Sequence, residues 1–318
     1  MYESFYGLQE HPFDLALNPR RLLLTPQHRE ALGNLEYGIL SRNGITLLVG
    51  EAGTGKTTLI RAAFARAEAE SPGGTAAWAY LKNPTLHRAE FFDFLVARFA
   101  LSSQAATSKV RLLDELERAL LSGKKAVLII DEAQSVPLEL LEEVRLLANI
   151  ESDSAKLLPV ILAGQPELAE RLNEPGLRQL KQRVALRCTL KPFQLNETAA
   201  YIAARIDSVG GVPSRVFTRD AVLAVHQHSG GIPRTINVIC ENALLTGYVE
   251  EQRPVGRDVV ETVVRDFDLW STAVVEPPVA PTSRAPIAEP VETPSSDVDV
   301  SAKPVAERSR GWAIWRRS

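Results

Sequence analysis

The chain alternates short apolar runs with longer segments in which apolar residues recur every three or four positions. The runs are mostly continuous, as expected for parallel strands that are buried on both faces. They predict strands at 45–49, 76–81, 126–130, 160–163 and 184–190. Two of the intervening segments, 108–122 and 137–147, have helical periodicity. This alternation predicts a doubly wound α/β sheet.

The segment 108–122 has the pattern of an amphipathic helix. Its spacing predicts a buried face that consists of Val110, Leu113, Leu116 and Leu120. A glycine follows at position 123, which is a common signal for the end of a helix. The sequence therefore predicts one amphipathic helix that covers the sheet.

The character of the chain changes twice toward its C-terminal end. Residues 1–195 carry the strand–helix alternation, whereas from 196 to 268 only helical patterns remain, which predicts a smaller all-helical domain. Residues 269–318 are rich in proline and poor in large apolar side chains, so we expect a disordered tail. Its end is basic and aromatic, with Trp312 and Trp315, and it could dock on a partner protein or a membrane surface or simply be solvated.

Composition narrows the class of protein. The 318 residues are 45% hydrophobic and 24% charged with a net charge of −3, which excludes a disulfide-stapled miniprotein and a fully disordered chain and disfavours a globally basic nucleic-acid binder. Cys188 and Cys240 stand far apart, as in a protein of a reducing compartment. Neither a leader segment nor a transmembrane span is evident, so the sequence predicts a cytoplasmic protein.

The strongest chemical signal is a glycine-rich loop that fits G-x-x-x-x-G-K-[ST] between a predicted strand and a predicted helix. Its backbone N–H groups and the helix N-terminus can bind phosphate oxygens. We expect Lys56 to reach the β- and γ-phosphates of ATP and Thr57 to ligate Mg²⁺. The predicted nucleotide-binding residues are Gly50, Glu51, Ala52, Gly53, Thr54, Gly55, Lys56, Thr57 and Thr58.

A second signal follows the strand at 126–130, which ends in two acidic residues. Asp131 is predicted to hold the Mg²⁺ ion, directly or through water. Glu132 is predicted to polarise the attacking water, a role that hydrolases need and simple nucleotide-binding proteins do not. The pair therefore favours ATP hydrolysis over ATP binding alone.

Taken together, these motifs make the chain resemble the AAA+ ATPases, most closely the general-secretion protein A (ExeA-like) family and its exosortase-associated and transposition-helper relatives. The resemblance covers residues 1 to about 268. It is carried by the opening Phe5-Tyr6-Gly7-Leu8 with Pro12-Phe13, by Pro19-Arg20, by the segment 25–32, and by the segments 141–151 and 157–168. It implies a sheet of five parallel strands in the order 5-1-4-3-2, with helices on both faces and a helical lid.

The resemblance also implies three further catalytic residues. Gln165 matches the sensor 1 position, where a polar group can hold the attacking water or a γ-phosphate oxygen. Arg234 matches the sensor 2 arginine of the lid, which contacts the γ-phosphate. Arg183, with Arg178 as the second choice, matches the arginine finger that one subunit supplies to its neighbour, which implies a homo-oligomer. Phe13, His28 and Tyr37 lie in the segment that packs near adenine in the family.

Three functions remain open on the sequence. The first is an ATPase that drives the assembly or remodelling of a secretion or cell-envelope protein complex. The second is a DNA-associated regulator of the transposition-helper type, for which Lys124-Lys125 and the cluster from Arg178 to Arg187 are the available basic surfaces. The third is a switch that binds ATP and hardly hydrolyses it, against which an intact Glu132 argues. No peptidoglycan-binding module is recognisable in the chain, which separates it from the fullest ExeA-like proteins.

Overall fold

The computed structural model describes residues 1–14, 24–41, 44–70, 77–82, 84–152 and 155–266. Pro19-Arg20 and the predicted tail with its two tryptophans lie outside the described residues. No helix among the described residues is long and apolar enough to cross a membrane.

Five parallel strands form one sheet, and each falls where an apolar run predicts it. The strands are β1 (Ile45–Gly50), β2 (Ala77–Leu81), β3 (Ala126–Ile130), β4 (Val160–Gly164) and β5 (Val184–Leu190). Their order across the sheet is β2-β3-β4-β1-β5, which confirms the predicted AAA+ arrangement. β1 is paired on both sides, to β4 and to β5, so the loop that follows it leaves from the interior of the sheet.

Burial explains why the runs in β1, β3 and β4 are continuous, because every residue of these strands is buried. The edge strand β5 differs, since Ala185, Arg187 and Thr189 are exposed. Two apolar cores lie on opposite faces of the sheet. One contains Leu47 and Leu128, and the other contains Leu48 and Ile129.

Helices cover both faces of the sheet. They are α2 (Pro26–Leu40), α3 (Lys56–Ala69), α4 (Arg88–Phe99), α5 (Lys109–Leu121), α6 (Leu138–Leu147), α7 (Pro166–Arg171) and α8 (Arg178–Gln182). The buried face predicted for α5 is wrong at one end, because Val110 is 74% exposed and Leu112, Leu116 and Leu120 are the buried residues. The apolar positions of α5 allow more than one stripe, and contacts with the sheet decide which one is covered.

Only helices follow the sheet among the described residues. They are α9 (Leu195–Asp207), α10 (Pro213–Val216), α11 (Arg219–Ser229), α12 (Pro233–Val249) and α13 (Arg257–Asp266), and they share a third apolar core. The N-terminal helix α1 (Tyr2–Tyr6) joins this core through Tyr2 and Tyr6. Tyr2 also donates a 2.7 Å hydrogen bond from its hydroxyl to the carboxylate of Glu241 on α12.

The start of the chain therefore packs on the helices that follow β5. Leu8 and Phe13 are buried in the same core, and the guanidinium of Arg205 on α9 donates to the carbonyl oxygen of Asp14 at 3.1 Å. The domain boundaries 1–195, 196–268 and 269–318 stay predictions. The contacts of residues 1–14 are a feature that the sequence pattern does not reveal.

Candidate nucleotide-binding site

The glycine-rich loop connects the end of β1 to the first residue of α3, as its sequence context predicts. Gly53 and Gly55 have φ angles of +82° and +97°, which side-chain-bearing residues rarely adopt. Gly50 is needed for a different reason. A Cβ atom at this position would lie 2.8 Å from Thr54 Oγ1 and 2.9 Å from the Leu190 carbonyl oxygen. The loop is thus a tight turn that requires glycine at these positions.

Lys56 is folded back over the loop. Its ammonium donates to the carbonyl oxygens of Gly50 at 2.7 Å and Glu51 at 3.0 Å, and the residue is only 5% exposed. Burial lowers the pKa of Lys56, and the carboxylates of Glu132 and Asp131 oppose that shift. A buried cation beside these carboxylates and at the start of α3 suits the binding of a phosphate group.

Asp131 receives two hydroxyl groups on one carboxylate oxygen. Thr57 Oγ1 donates to its Oδ2 at 2.8 Å, and the hydroxyl of Tyr80, near the end of β2, donates to the same atom at 2.7 Å. Burial and the hydrogen bond to Asp131 raise the pKa of Tyr80, so the phenol stays protonated and acts as the donor. The structure therefore adds Tyr80 to the two residues that the sequence predicts here.

Glu132 occupies the turn after β3 in the left-handed region, with φ at 52°. Its Oε2 atom accepts hydrogen bonds from the side-chain amides of Gln134 at 2.6 Å and Gln165 at 3.4 Å. Gln165 precedes α7 directly after β4. The structure thus brings Glu132 together with the predicted sensor 1 residue, and it adds Gln134, which the sequence analysis missed.

Arg234 contacts the glycine-rich loop through its backbone. Its N–H donates to the carbonyl oxygen of Gly53 at 3.2 Å, and a Cβ atom on Gly53 would lie 2.8 Å from the Cβ atom of Arg234. The preceding turn contains Gly230 and Gly231, both with positive φ. The carbonyl oxygen of Gly231 accepts a 2.8 Å hydrogen bond from the N–H of Phe193, in the connection between β5 and α9. The helices that follow β5 thus contact the loop directly.

The three candidates for an adenine contact separate in the structure. His28 is buried beside the loop, and its Nε2 lies 3.2 Å from the Thr54 carbonyl oxygen. Phe13 is buried in the core of the helices that follow β5 and packs on Phe217. Tyr37 is 55% exposed on α2. Of the three, only His28 touches the glycine-rich loop.

Arg183 directly precedes β5 and therefore lies where the parallel strands begin, at the end of the sheet opposite the glycine-rich loop. Its carbonyl oxygen accepts a 3.3 Å hydrogen bond from the N–H of Ile45, the first residue of β1. Gly50 stands five residues further along β1, about 17 Å away at about 3.3 Å per residue. Arg183 and Arg178 are both exposed. The structure does not bring either arginine to the loop of its own chain.

Comparison with known proteins agrees with this geometry. The family model described as an AAA domain matches residues 39–172, which span the glycine-rich loop, Asp131, Glu132 and Gln165. General secretion pathway protein A of Aeromonas hydrophila is 36% identical over 285 residues, which cover 86% of this chain and 51% of the relative. The chain is therefore similar to general secretion pathway protein A over most of its own length and contains an AAA domain. It spans about half the length of the curated relative that it matches.

Solved structures show the same AAA+ fold. The ORC2 protein of Aeropyrum pernix, in ADPNP–ADP complexes, is 20% identical with a TM-score of 0.62, over 85% of this chain and 74% of that protein. The ORC1 protein of the same organism, in complex with DNA, is 18% identical with a TM-score of 0.55, over 77% of this chain and 66% of that protein. At this identity the likeness concerns the fold.

The residues of this AAA+ chain fit the Mg²⁺ ion that usually accompanies a bound nucleotide. Thr57 and Asp131 supply a hydroxyl and a carboxylate oxygen, already in contact, and Mg²⁺ takes one or two protein carboxylates together with phosphate oxygens and water. The described residues contain no cluster of three or more His, Cys, Asp or Glu side chains that could hold a metal without the nucleotide. Thr57 and Asp131 are the residues that would hold Mg²⁺ beside a bound nucleotide.

Proposed function

We propose that this AAA+ protein is a Mg²⁺-dependent ATPase that drives the assembly or remodelling of a secretion or cell-envelope protein complex. One observation carries the hydrolytic part of the proposal. Glu132 follows Asp131 directly and donates its backbone N–H to Asp131 Oδ1 at 3.1 Å, while its carboxylate accepts from the Gln165 amide at 3.4 Å. A protein that only binds ATP has no need of such a carboxylate. The relationship to general secretion pathway protein A supports the secretion part.

In this proposal the γ-phosphate of ATP lies between the glycine-rich loop and Glu132. The loop N–H groups and Lys56 neutralise the phosphate charge, while Glu132 takes a proton from the attacking water as the bond to the β-phosphate oxygen breaks and ADP leaves. Thr57 and Asp131 would hold Mg²⁺, which supplies charge neutralisation to the phosphates when bound. Gln165 orients the water, and Arg234 contacts the γ-phosphate.

Arg183 takes no part in its own site in this proposal. About 17 Å of sheet separate it from Gly50 at about 3.3 Å per residue, and its side chain is exposed. We assign it to the nucleotide of a neighbouring subunit, which makes a homo-oligomer the active form. The cytoplasm, where ATP is abundant, is the proposed location.

A second function has one observation in its favour. Arg178, Lys181, Arg183 and Arg187 are all exposed around the start of β5, which gives a basic surface at one edge of the sheet. Such a surface could bind a phosphate backbone, as in a DNA-associated regulator of the transposition-helper type. The A. pernix ORC1 structure, which shares the fold, is a complex with DNA.

Steady-state ATP turnover against protein concentration, with and without duplex DNA, tests both functions. Specific activity that rises with concentration and ignores DNA supports an assembly-dependent ATPase with a protein client. Stimulation by DNA that disappears as salt is raised supports the second function. Glu132→Gln is the control for contaminating activity. Equal rates for this variant and the wild type would refute the role of Glu132.

A further inference from the structure

Gln134 connects the two catalytic segments of the candidate site. Its side-chain nitrogen lies 2.6 Å from Glu132 Oε2, and its side-chain oxygen lies 3.1 Å from the backbone nitrogen of Gln165. The backbone N–H of Gln165 can only donate, so the amide oxygen of Gln134 must face it. The amide nitrogen therefore faces Glu132, and the orientation of the side chain is determined by its partners.

The surroundings of Gln134 leave little room for another arrangement. Gly164 ends β4, and a Cβ atom there would lie 2.6 Å from the side-chain oxygen of Gln134. The guanidinium of Arg171 on α7 donates to the backbone carbonyl oxygen of Gln134 and, at 3.0 Å, to that of Val136. The side chain of Gln134 therefore fixes the turn after β3 to the residue that precedes α7, and its backbone carbonyl fixes the turn to the last residue of α7.

The hydrogen bonds of Gln134 help to hold Glu132 in place, because the backbone of Glu132 is in an unfavourable conformation. A glutamate with φ at 52° persists only where neighbouring groups hold it. Gln134 and Gln165 both bind the same carboxylate oxygen, Oε2, and Oε1 takes part in neither bond. The pair of amides thus sets the direction of the carboxylate and leaves Oε1 for a water molecule.

We propose that Gln134 is a positioning residue that aims the carboxylate of Glu132 and ties it to the sensor 1 segment at Gln165. The inference rests on the proposed ATPase function. It concerns a residue that acts through Glu132 and does not itself touch ATP. Any change at the γ-phosphate that moves the backbone of Gln165 would then move Glu132 as well, through Gln134 in addition to the direct bond from the Gln165 amide.

The decisive test is a double-mutant cycle of Gln134→Ala and Glu132→Gln on ATP turnover. A displacement of about 1 Å at a catalytic group can cost about 10²-fold in rate, so Gln134→Ala should lower kcat by about 10- to 100-fold with KM within about threefold. In the Glu132→Gln background, measured by single turnover with excess protein, it should change the rate by less than about twofold. Equal losses in both backgrounds, or no loss in the wild type, would overturn the proposal.

Gln134→Glu separates the two bonds of the amide. Two adjacent carboxyl groups share a proton near neutral pH, so the rate is measured above about pH 8.5, where both are ionised. There the side chain still accepts from the Gln165 N–H but cannot donate to Glu132, so kcat should fall as in Gln134→Ala. Wild-type kcat in this variant would also overturn the proposal. Binding of a fluorescent ATP analogue and thermal unfolding check that each variant is folded, and Gln104→Ala, at an exposed position distant in sequence from the site, is the matched control.

A measurement without turnover keeps this inference distinct from the proposed function. In the ¹H–¹⁵N spectrum of nucleotide-free protein, Glu132→Gln should shift the side-chain amide of Gln134, and Gln134→Ala should shift the backbone amide of Gln165. Unchanged resonances would refute the positioning role even in an active enzyme. A wild type that binds ATP without hydrolysing it would refute the ATPase proposal, and the spectra would still decide the role of Gln134.

Discussion

The parallel strands end at what we call the carboxyl edge of the sheet, beside the glycine-rich loop, and begin at the opposite, amino edge. The functional side chains at these two edges differ in how many partners they have within the chain. At the carboxyl edge, Lys56, Asp131 and Glu132 are buried or half-buried and joined to their neighbours by side-chain hydrogen bonds. At the amino edge, Arg183 is exposed, and its backbone carbonyl is bonded to the first residue of β1. A single chain thus brings the candidate phosphate-binding residues together at one edge and exposes an arginine at the other. In the proposed function, a neighbouring copy of the chain would use this arginine.

The largest expected effect on turnover comes from replacing Arg183, the arginine at the amino edge. Arg183→Ala should keep ATP binding and lose about 10³-fold of the turnover measured at high protein concentration, because an arginine supplied in trans stabilises transition-state charge to about that extent. Turnover at low concentration should be unaffected. Arg178→Ala is the matched variant, and a loss in this variant alone would transfer the finger role to Arg178.

Lys56→Ala should weaken ATP binding at the carboxyl edge of the sheet. The variant removes the ammonium that we expect to bind the β- and γ-phosphates. Hydrogen bonds to charged groups contribute about 1.5–3 kcal/mol each, so the loss of these two bonds should weaken ATP binding by about 10²-fold or more. Titration with a fluorescent ATP analogue measures this. Lys181→Ala, an exposed lysine near the start of β5, is the control. Tight ATP binding by Lys56→Ala would contradict the proposed site.

Tyr80→Phe should have a moderate effect that is confined to the metal. Asp131 loses one of the two hydroxyl donors on Oδ2 and keeps Thr57. Groups that orient a metal ligand typically change metal affinity by about 10- to 100-fold, so we expect the Mg²⁺ concentration for half-maximal turnover to rise about 10-fold. Tyr248→Phe, on α12 where the ring contacts Phe5, serves as the control. An unchanged Mg²⁺ dependence would exclude Tyr80 from the metal site.

The smallest expected effect concerns His28, which lies under the loop. Burial lowers the pKa of His28 in the folded protein, so below about pH 6.5 the unfolded chain binds a proton more readily. The free energy of unfolding should therefore fall between pH 7.5 and 5.5. In His28→Gln, which keeps a donor for the Thr54 carbonyl, the fall should be shallower. Denaturant titrations at both pH values measure the difference, and equal slopes would refute it.

The sequence identifies residues that meet at the carboxyl edge because the motifs that contain them are local patterns. A glycine-rich loop between an apolar strand and a helix, and two acids after a second strand, need no knowledge of tertiary contacts. Tyr80 and Gln134 escape such reasoning, since their roles depend on which side chains meet across strands β2, β3 and β4. In hindsight, the position of Gln134 two residues after Glu132 and that of Tyr80 near the end of a strand were the available signals.

Two features of the fold escape sequence reasoning for a related reason. The buried stripe of α5 runs through Leu112 because contacts with the sheet select one of several apolar stripes, and Val110 is left exposed. The packing of residues 1–14 on the helices that follow β5 links segments that are far apart in the chain, and periodicity carries no information about such pairs.

That long-range packing has a consequence for how the protein is made. Tyr2 and Glu241 are 239 positions apart, and a ribosome adds about 5–20 residues per second. Tyr2 and Tyr6 therefore wait on the order of ten seconds or more for the helices that bury them. During translation these aromatic rings lack their native contacts, so the helices that follow β5, which contact the glycine-rich loop through Arg234, complete their core only after Val263 has been synthesised.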